Sequence, residues 1–139
     1  MKLTIVQVLG AVSALNQLAG KPFPPVTSLK IARLASKLTP EAELAEKQRQ
    51  KLIEDMGAKL SKDGKVWEFP SLEVGRKYDE AWKQVTDSEI DIHLDLLPLQ
   101  ALGETELTPA VMQGLLPILF IEEEAAAKPE LVNKKKKVG

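Results

Sequence analysis

The sequence predicts a helix-dominated α+β fold in a single domain, and three patterns lead to that prediction. Residues 25–56 carry apolar side chains at alternating steps of three and four, which is typical of one face of a long helix. Residues 89–95 alternate strictly between polar and apolar side chains, as a strand with one buried face does. Asp63 and Gly64 separate two short segments and form a favourable hairpin turn. We therefore expect an antiparallel helical pair and a small antiparallel sheet.

The first helix is predicted to begin at Ile5. Thr4 and Gln7 have the spacing of a capping box, and Leu3 with Val8 has that of the accompanying hydrophobic staple. The expected inward face consists of Ile5, Val8, Leu9, Val12, Leu15 and Ala19. Gly20 closes the helix, and the proline-rich residues 21–25 turn the chain back, so the first and second helices are expected to pack antiparallel.

The long helical pattern has an apolar seam that Arg49 interrupts at one position. The seam consists of Ile31, Ala35, Leu38, Ala42, Ala45, Leu52 and Met56, and Leu34, Leu44 and Ile53 widen it. At Thr39 and Pro40 either the helix kinks or the threonine caps a second helix, and two collinear or kinked segments are favoured. The whole pattern is about 45 to 50 Å long at 1.5 Å per residue. Part of it is expected to protrude or to meet another chain.

The remaining elements are shorter. Residues 59–62 and 65–69 are predicted to form a hairpin, and Ser71 to cap a third helix whose stripe is Val74, Tyr78, Ala81, Trp82 and Val85. The strand at 89–95 is expected to join the hairpin. Thr108 and Pro109 start a last helix that Pro117 kinks or ends, and the apolar run 115–121 must be buried in the core or between subunits.

The domain is predicted to span residues 1–127, with residues 122–127 able to prolong a helix. Residues 128–139 are predicted to be a basic tail, because Lys134 to Lys137 form an uninterrupted lysine run without aromatic residues. Such a run is more often a solubilising tail than a nucleic-acid or lipid contact.

Composition limits the possible functions. The net charge is −1, so any anion site must be local, and binding to nucleic acid or to a membrane surface is not expected. The sequence contains no cysteine, which excludes disulfides and thiolate chemistry and fits an intracellular protein. No secretory signal or apolar run of about 20 residues is recognisable. A cytoplasmic location is therefore expected.

No catalytic motif is present. His93 lies among Asp87, Glu89, Asp91 and Asp95, but the spacing fits neither a calcium loop nor a zinc site, so no bound metal is expected. The glycines occur singly and form no phosphate-binding loop. An enzyme is therefore not expected, and no cofactor is predicted.

The candidate binding residues are arginines, which recognise anions and carboxylates, and aromatic residues, which stack or anchor an interface. They are Arg33, Arg49, Trp67, Arg76 and Tyr78. Arg49 either pairs with a nearby glutamate at the edge of the seam, or contacts a second subunit or a bound anion. Trp67 is either partly packed or an interface anchor or stacking platform, whereas Trp82 is expected in the core.

The order of elements resembles a family of short uncharacterised proteins encoded by long-tailed bacteriophages and prophages. The resemblance covers roughly residues 1–121. The phrases that carry it are the opening residues 1–4, residues 14–19, 29–33, 49–53 and 89–92, and residues 107–110. The family brings no catalytic residues to this chain.

The resemblance implies a phage accessory protein in the host bacterial cytoplasm. One hypothesis is a small homo-oligomeric binder of a host factor or an anionic signalling molecule, which would counteract host defence. The alternative is a structural or assembly accessory of the virion. Binding of small anionic ligands, as opposed to copurification with virion components, separates the two.

Overall fold

The structure, a computed structural model, describes residues 1–120. The predicted helical extension at 122–127, the domain boundary at 127 and the lysine run 134–137 lie outside the described residues.

Residues 1–120 form a helix-dominated α+β fold, as predicted. In chain order the elements are β1 (Lys2–Thr4), α1 (Ile5–Leu18), α2 (Pro25–Asp55), β2 (Lys59–Leu60), β3 (Trp67–Glu68), α3 (Leu72–Asp87), β4 (Glu89–Asp91), β5 (Leu97–Pro98), α4 (Pro109–Leu115) and β6 (Leu119–Phe120). Short 3-10 helices cover Leu99–Leu102 and Leu116–Ile118.

Helix α1 begins at Ile5, and the predicted capping box is formed. The Gln7 N–H donates to the Thr4 hydroxyl at 3.2 Å, and the Thr4 N–H donates to the Gln7 side chain at 2.9 Å. The predicted inward face is wrong in part, because Ala19 is exposed and Leu9 is half-buried outside the core cluster, whereas Val12 packs against that cluster. Helix α1 packs against both α2 and α4, and two flanking helices bury a wider face than one. That face consists of Ile5, Val8, Ala11, Ala14, Leu15 and Leu18.

Helix α2 runs from Pro25 to Asp55 as one helix, so a division into two separate segments, the second capped by Thr39, is wrong, whereas a kink at Pro40 stays a prediction. Pro40 lies inside the helix and Thr39 is not a cap. The proline removes one backbone hydrogen bond, and the turns on either side keep the helix continuous. Gly57, with φ of 72°, follows its end. A left-handed backbone of this kind suits glycine and stops the helix.

Helices α1 and α2 pack antiparallel. Helix α2 starts close to the end of α1, and its middle lies beside the beginning of α1: the Lys37 ammonium donates to the His93 carbonyl at 2.8 Å, and the neighbouring Ile92 N–H donates to the Met1 carbonyl at 2.9 Å. With 31 residues against 14, α2 extends past α1 by about 25 Å. Its second half is covered mainly by α3. Leu44 in that half is 60% exposed, so the prediction that it widens the buried face is wrong, whereas Leu34 and Ile53 are buried.

The predicted hairpin is present, with Lys59 opposite Glu68 and Leu60 opposite Trp67. Its loop is longer than the predicted two-residue turn: the Ser61 N–H donates to the Val66 carbonyl, and the Gly64 N–H closes a turn onto Ser61. The Asp63 carboxylate accepts hydrogen bonds from the Ser61 hydroxyl and the Lys65 N–H. These bonds hold the pKa of Asp63 below its ordinary value. The loop therefore consists of the four residues 62–65. A carboxylate that accepts a hydrogen bond from the loop backbone favours such a loop over a two-residue turn.

The alternating segment 89–95 does not join the hairpin. Only Glu89–Asp91 forms a strand, and it pairs antiparallel with β1, Leu3 lying opposite Ile90. Burial nevertheless alternates as predicted, with Ile90, Ile92 and Leu94 inward of their exposed neighbours. The pattern thus identifies the buried face correctly, but it holds no information about the partner strand.

Helix α3 begins after Ser71, whose hydroxyl accepts from the Val74 N–H at 3.2 Å. All five residues of its predicted stripe are only half-buried, and the helix contains no fully buried residue. Trp82 does not belong to the core cluster, so its predicted core position is wrong. Helix α3 contacts α2 and, less extensively, α1, and these contacts leave its inner face only partly covered.

Helix α4 has the predicted threonine cap, with the Val111 N–H donating to the Thr108 hydroxyl at 3.3 Å, and it ends before Pro117. It crosses α1 where Gly10 faces Gly114: a Cβ at Gly114 would lie 2.6 Å from the Gly10 carbonyl oxygen. The following β6 pairs with β5 in parallel. In the apolar run, Leu115, Ile118 and Leu119 are buried, whereas Leu116 and Phe120 are exposed. Within the described part of the chain, the core therefore buries three residues of this run, and coverage of Leu116 and Phe120 by a second subunit stays a prediction.

Candidate functional site

A basic pocket lies between the first half of α2 and the segment that follows β4. It is lined by Lys30, Arg33, Leu34, Ser36, Lys37, Leu94, Asp95 and Leu96. Its volume is about 370 Å³, which falls within the range of roughly 300 to 1,000 Å³ that is common for small-molecule sites. We call this surface the basic pocket.

The cations of the basic pocket come from one helix face. Lys30, Arg33 and Lys37 are three and four residues apart on α2, a spacing that brings side chains to the same side of a helix. All three residues are exposed. The outer two lie about 10 Å apart along the helix axis at 1.5 Å per residue. The arrangement therefore places a row of positive charge along one wall.

The apolar lining of the basic pocket, which we call the leucine floor, consists of Leu34, Leu94 and Leu96. Leu34 of α2 is 2% exposed and Leu94 is 8% exposed, and both belong to the core cluster; Leu96 packs against that cluster. Because core packing fixes these leucines, the apolar surface beside the cations is preformed.

None of the three cations has a carboxylate partner within the described part of the chain. Neither Lys30 nor Arg33 has a carboxylate oxygen within 4.0 Å among residues 1–120. Lys37 donates to the His93 carbonyl, which leaves its charge uncompensated. A guanidinium and two ammonium groups of this kind are hydrogen-bond donors for a phosphate or a carboxylate.

Of the five predicted binding residues, the structure places only Arg33 in the basic pocket. Arg49 and Tyr78 lie together elsewhere, where α2 meets α3, and the Tyr78 ring stacks on Phe69 with centroids 5.0 Å apart. Trp67 is half-buried on β3 and Arg76 is exposed on α3. Arg33 and Arg49 are 16 residues apart on one helix, about 24 Å, so they cannot contact one small ligand.

Sequence reasoning missed Lys30 and Lys37. Their spacing with Arg33 is visible in the sequence and is a signal that identifies one basic helix face. The leucine wall contributed by residues 94 and 96 has no such signal, because the packing of that segment against α2 is a tertiary contact.

Arg49 adopts the first of its two predicted environments. Its guanidinium donates to both carboxylate oxygens of Glu46, at 2.8 and 3.0 Å, on the same helix. The hydrogen bond to Glu46 raises the pKa of Arg49, Tyr78 raises it further, and partial burial opposes the rise. The carboxylate that Arg49 requires is thus supplied within the chain.

We expect Arg49→Ala to cost less than about 1 kcal/mol of unfolding free energy, because ion pairs with this much exposure are screened by water. Urea unfolding measures the cost, with Glu46→Ala as the matched variant for the other half of the pair. A loss of about 2 kcal/mol or more would show that Arg49 contacts a further group, such as one from a second copy. Light scattering of wild type and mutant then reports whether the oligomeric state changes.

A second, larger groove separates α1 from α4. Its volume is about 740 Å³, and Gln7, Ser13, Gln17, Thr108 and Gln113 supply polar groups among small apolar side chains. Among residues 1–120, Lys21 and Glu106 are the charged residues that line it. Since this groove lacks convergent charge, it offers no preference for a charged ligand.

Residues 1–120 contain neither a cluster of metal-binding side chains nor a helix that could span a membrane. No group of three or more histidine, aspartate or glutamate side chains is close enough to hold a metal ion there. None of the helices in this range is long and apolar enough to cross a membrane.

Comparisons of the chain with protein-family models, with curated proteins and with solved structures find no match. The resemblance to phage proteins therefore stays a prediction. Function must be inferred from the basic pocket itself.

Proposed function

We propose that the protein is a non-enzymatic binder of a small organic anion, which it holds in the basic pocket. The observation that carries this proposal is the row of Lys30, Arg33 and Lys37 above a preformed leucine floor. The cations bind the phosphate or carboxylate of the ligand, and the leucines cover its apolar part. A chain with a net charge of −1 has no general attraction for anions, so this local concentration of charge is specific to the site.

The biological setting is part of the same proposal. An anionic signalling molecule of the host would be such a ligand, and sequestering it is a way for a phage accessory protein to counteract host defence. The protein would act as a homo-oligomer in the cytoplasm of the host bacterium. The resemblance noted in the sequence supports this setting, and the geometry of the basic pocket supports the anionic ligand.

The proposal is tested by NMR titration of the full chain with phenyl phosphate and, separately, with inorganic phosphate. We expect amide shifts centred on residues 30–37 and 94–96, and tighter binding of phenyl phosphate because its ring covers the leucine floor. Raising the salt concentration should weaken both interactions, since the cations are exposed.

Arg33→Gln should weaken phenyl phosphate binding about tenfold, the effect expected on loss of one charge-assisted hydrogen bond. Arg76→Gln is the matched control, because it removes an exposed arginine of α3 outside the basic pocket and should leave binding unchanged. Absence of binding by the wild type, or an equal loss in both variants, would contradict an anion site at this position.

A further inference from the structure

Among residues 1–120, one carboxylate lines the basic pocket, and it belongs to the segment that faces α2. Asp95 follows Leu94 and precedes Leu96, whereas the three cations belong to α2. Within the same residues, no cation of α2 lies within 4.0 Å of the Asp95 carboxylate; its nearest basic group is the His93 ring nitrogen at 3.9 Å. The two segments that line the basic pocket therefore carry opposite charges that are not paired with each other, and both segments also contribute leucines.

This separation has a consequence for ligand choice. An anion with a purely apolar remainder meets attraction at the α2 wall and repulsion from Asp95. An anion that carries a hydroxyl or amino group at its far end meets the same repulsion, but it also meets a hydrogen-bond acceptor that offsets it. A carboxylate that repels every anion and rewards only those with a donor is a means of discrimination.

We propose that Asp95 is a specificity-determining residue that selects organic anions carrying a hydrogen-bond donor at the end away from the anionic group. The inference rests on the proposed function, because it assigns the ligand class of the same basic pocket. The ligand then has three parts: a phosphate or carboxylate against Lys30, Arg33 and Lys37, an apolar middle over Leu34 and Leu94, and a hydroxyl or amino group toward Asp95.

The test uses two probes of nearly equal size, 4-aminophenyl phosphate and 4-methylphenyl phosphate, titrated into the full chain by NMR. They differ only in that an amino donor replaces a methyl group. We expect the wild type to bind the amino compound about threefold to tenfold more tightly, the range for one hydrogen bond at an exposed site.

In Asp95→Ala this preference should disappear, and the methyl compound should bind more tightly than it binds to the wild type, because the repulsion is gone. Glu89→Ala controls for the general effect of removing one exposed carboxylate from the same segment outside the basic pocket, and it should keep the preference. Asp95 and Glu89 are both exposed, so neither substitution removes core packing.

Equal binding of the two probes by the wild type, or a preference that persists in Asp95→Ala, would overturn the role of Asp95 while leaving the anion site intact. If neither probe nor phenyl phosphate binds the wild type, the proposed function fails and the role of Asp95 fails with it.

Discussion

Gly114→Ala should destabilise the protein by about 1 to 3 kcal/mol, the usual cost of forcing extra atoms into a packed contact. The added Cβ would lie 2.6 Å from the Gly10 carbonyl oxygen and 3.1 Å from the Ala14 Cβ. Because the first of these atoms is backbone, relief requires α4 to move away from α1. The gain in helix propensity from glycine to alanine, about 0.5 to 1 kcal/mol, is too small to offset the clash.

Gly10→Ala is the matched control, since it adds the same methyl group on the other side of the same crossing. There the new Cβ would meet only the Gly114 Cα, at 3.8 Å, which is an ordinary van der Waals contact. This variant should be as stable as the wild type or slightly more stable. Urea unfolding of the two variants decides the matter, and equal stability of both would show that α1 and α4 do not approach so closely.

Leu115→Ala should cost about 2 to 5 kcal/mol, because the side chain is fully buried in the core cluster and its loss leaves a cavity. Leu116→Ala, one residue later, removes the same atoms from a side chain that is 53% exposed. It should change the unfolding free energy by less than about 0.5 kcal/mol. Thermal or urea unfolding of the pair measures the difference.

The same pair of variants bears on the predicted homo-oligomer. If a second copy covers Leu116, the substitution should shift the monomer–oligomer equilibrium in light scattering while Leu115→Ala chiefly lowers stability. If the protein is a monomer and the two variants lose similar unfolding free energy, then Leu116 is as deeply buried as Leu115, which would contradict the structure.

Some features of the fold follow from the sequence because they depend on local interactions. Thr4, Ser71 and Thr108 cap the helices that they were predicted to cap, since each hydroxyl bonds to a backbone N–H only three residues away. The alternation after Ser88 likewise predicts which side chains face inward, because successive residues of an extended chain point to opposite sides.

The errors concern elements whose environment is set by distant residues. Helix α2 is continuous through Pro40, although proline locally favours a break, because the loss of one hydrogen bond is small beside the packing of a 31-residue helix. Trp82 has the spacing of a core residue, but it is only half-buried, because the depth of its burial depends on how α3 packs against α2 and α1 and not on spacing within α3.

The sequence by itself determined the fold class, the starts of α1, α2, α3 and α4, and the buried face of the segment after α3. It also contains the basic face of α2, of which only Arg33 was predicted. Only the tertiary structure decided that β4 pairs with β1, that Arg49 bonds within its own helix beside Tyr78, and that Leu94, Asp95 and Leu96 face Lys30, Arg33 and Lys37. The physical reason is the range of the interactions. Capping and periodicity act over three to seven residues, whereas the basic pocket is assembled from segments about 60 residues apart, whose contact no local pattern encodes.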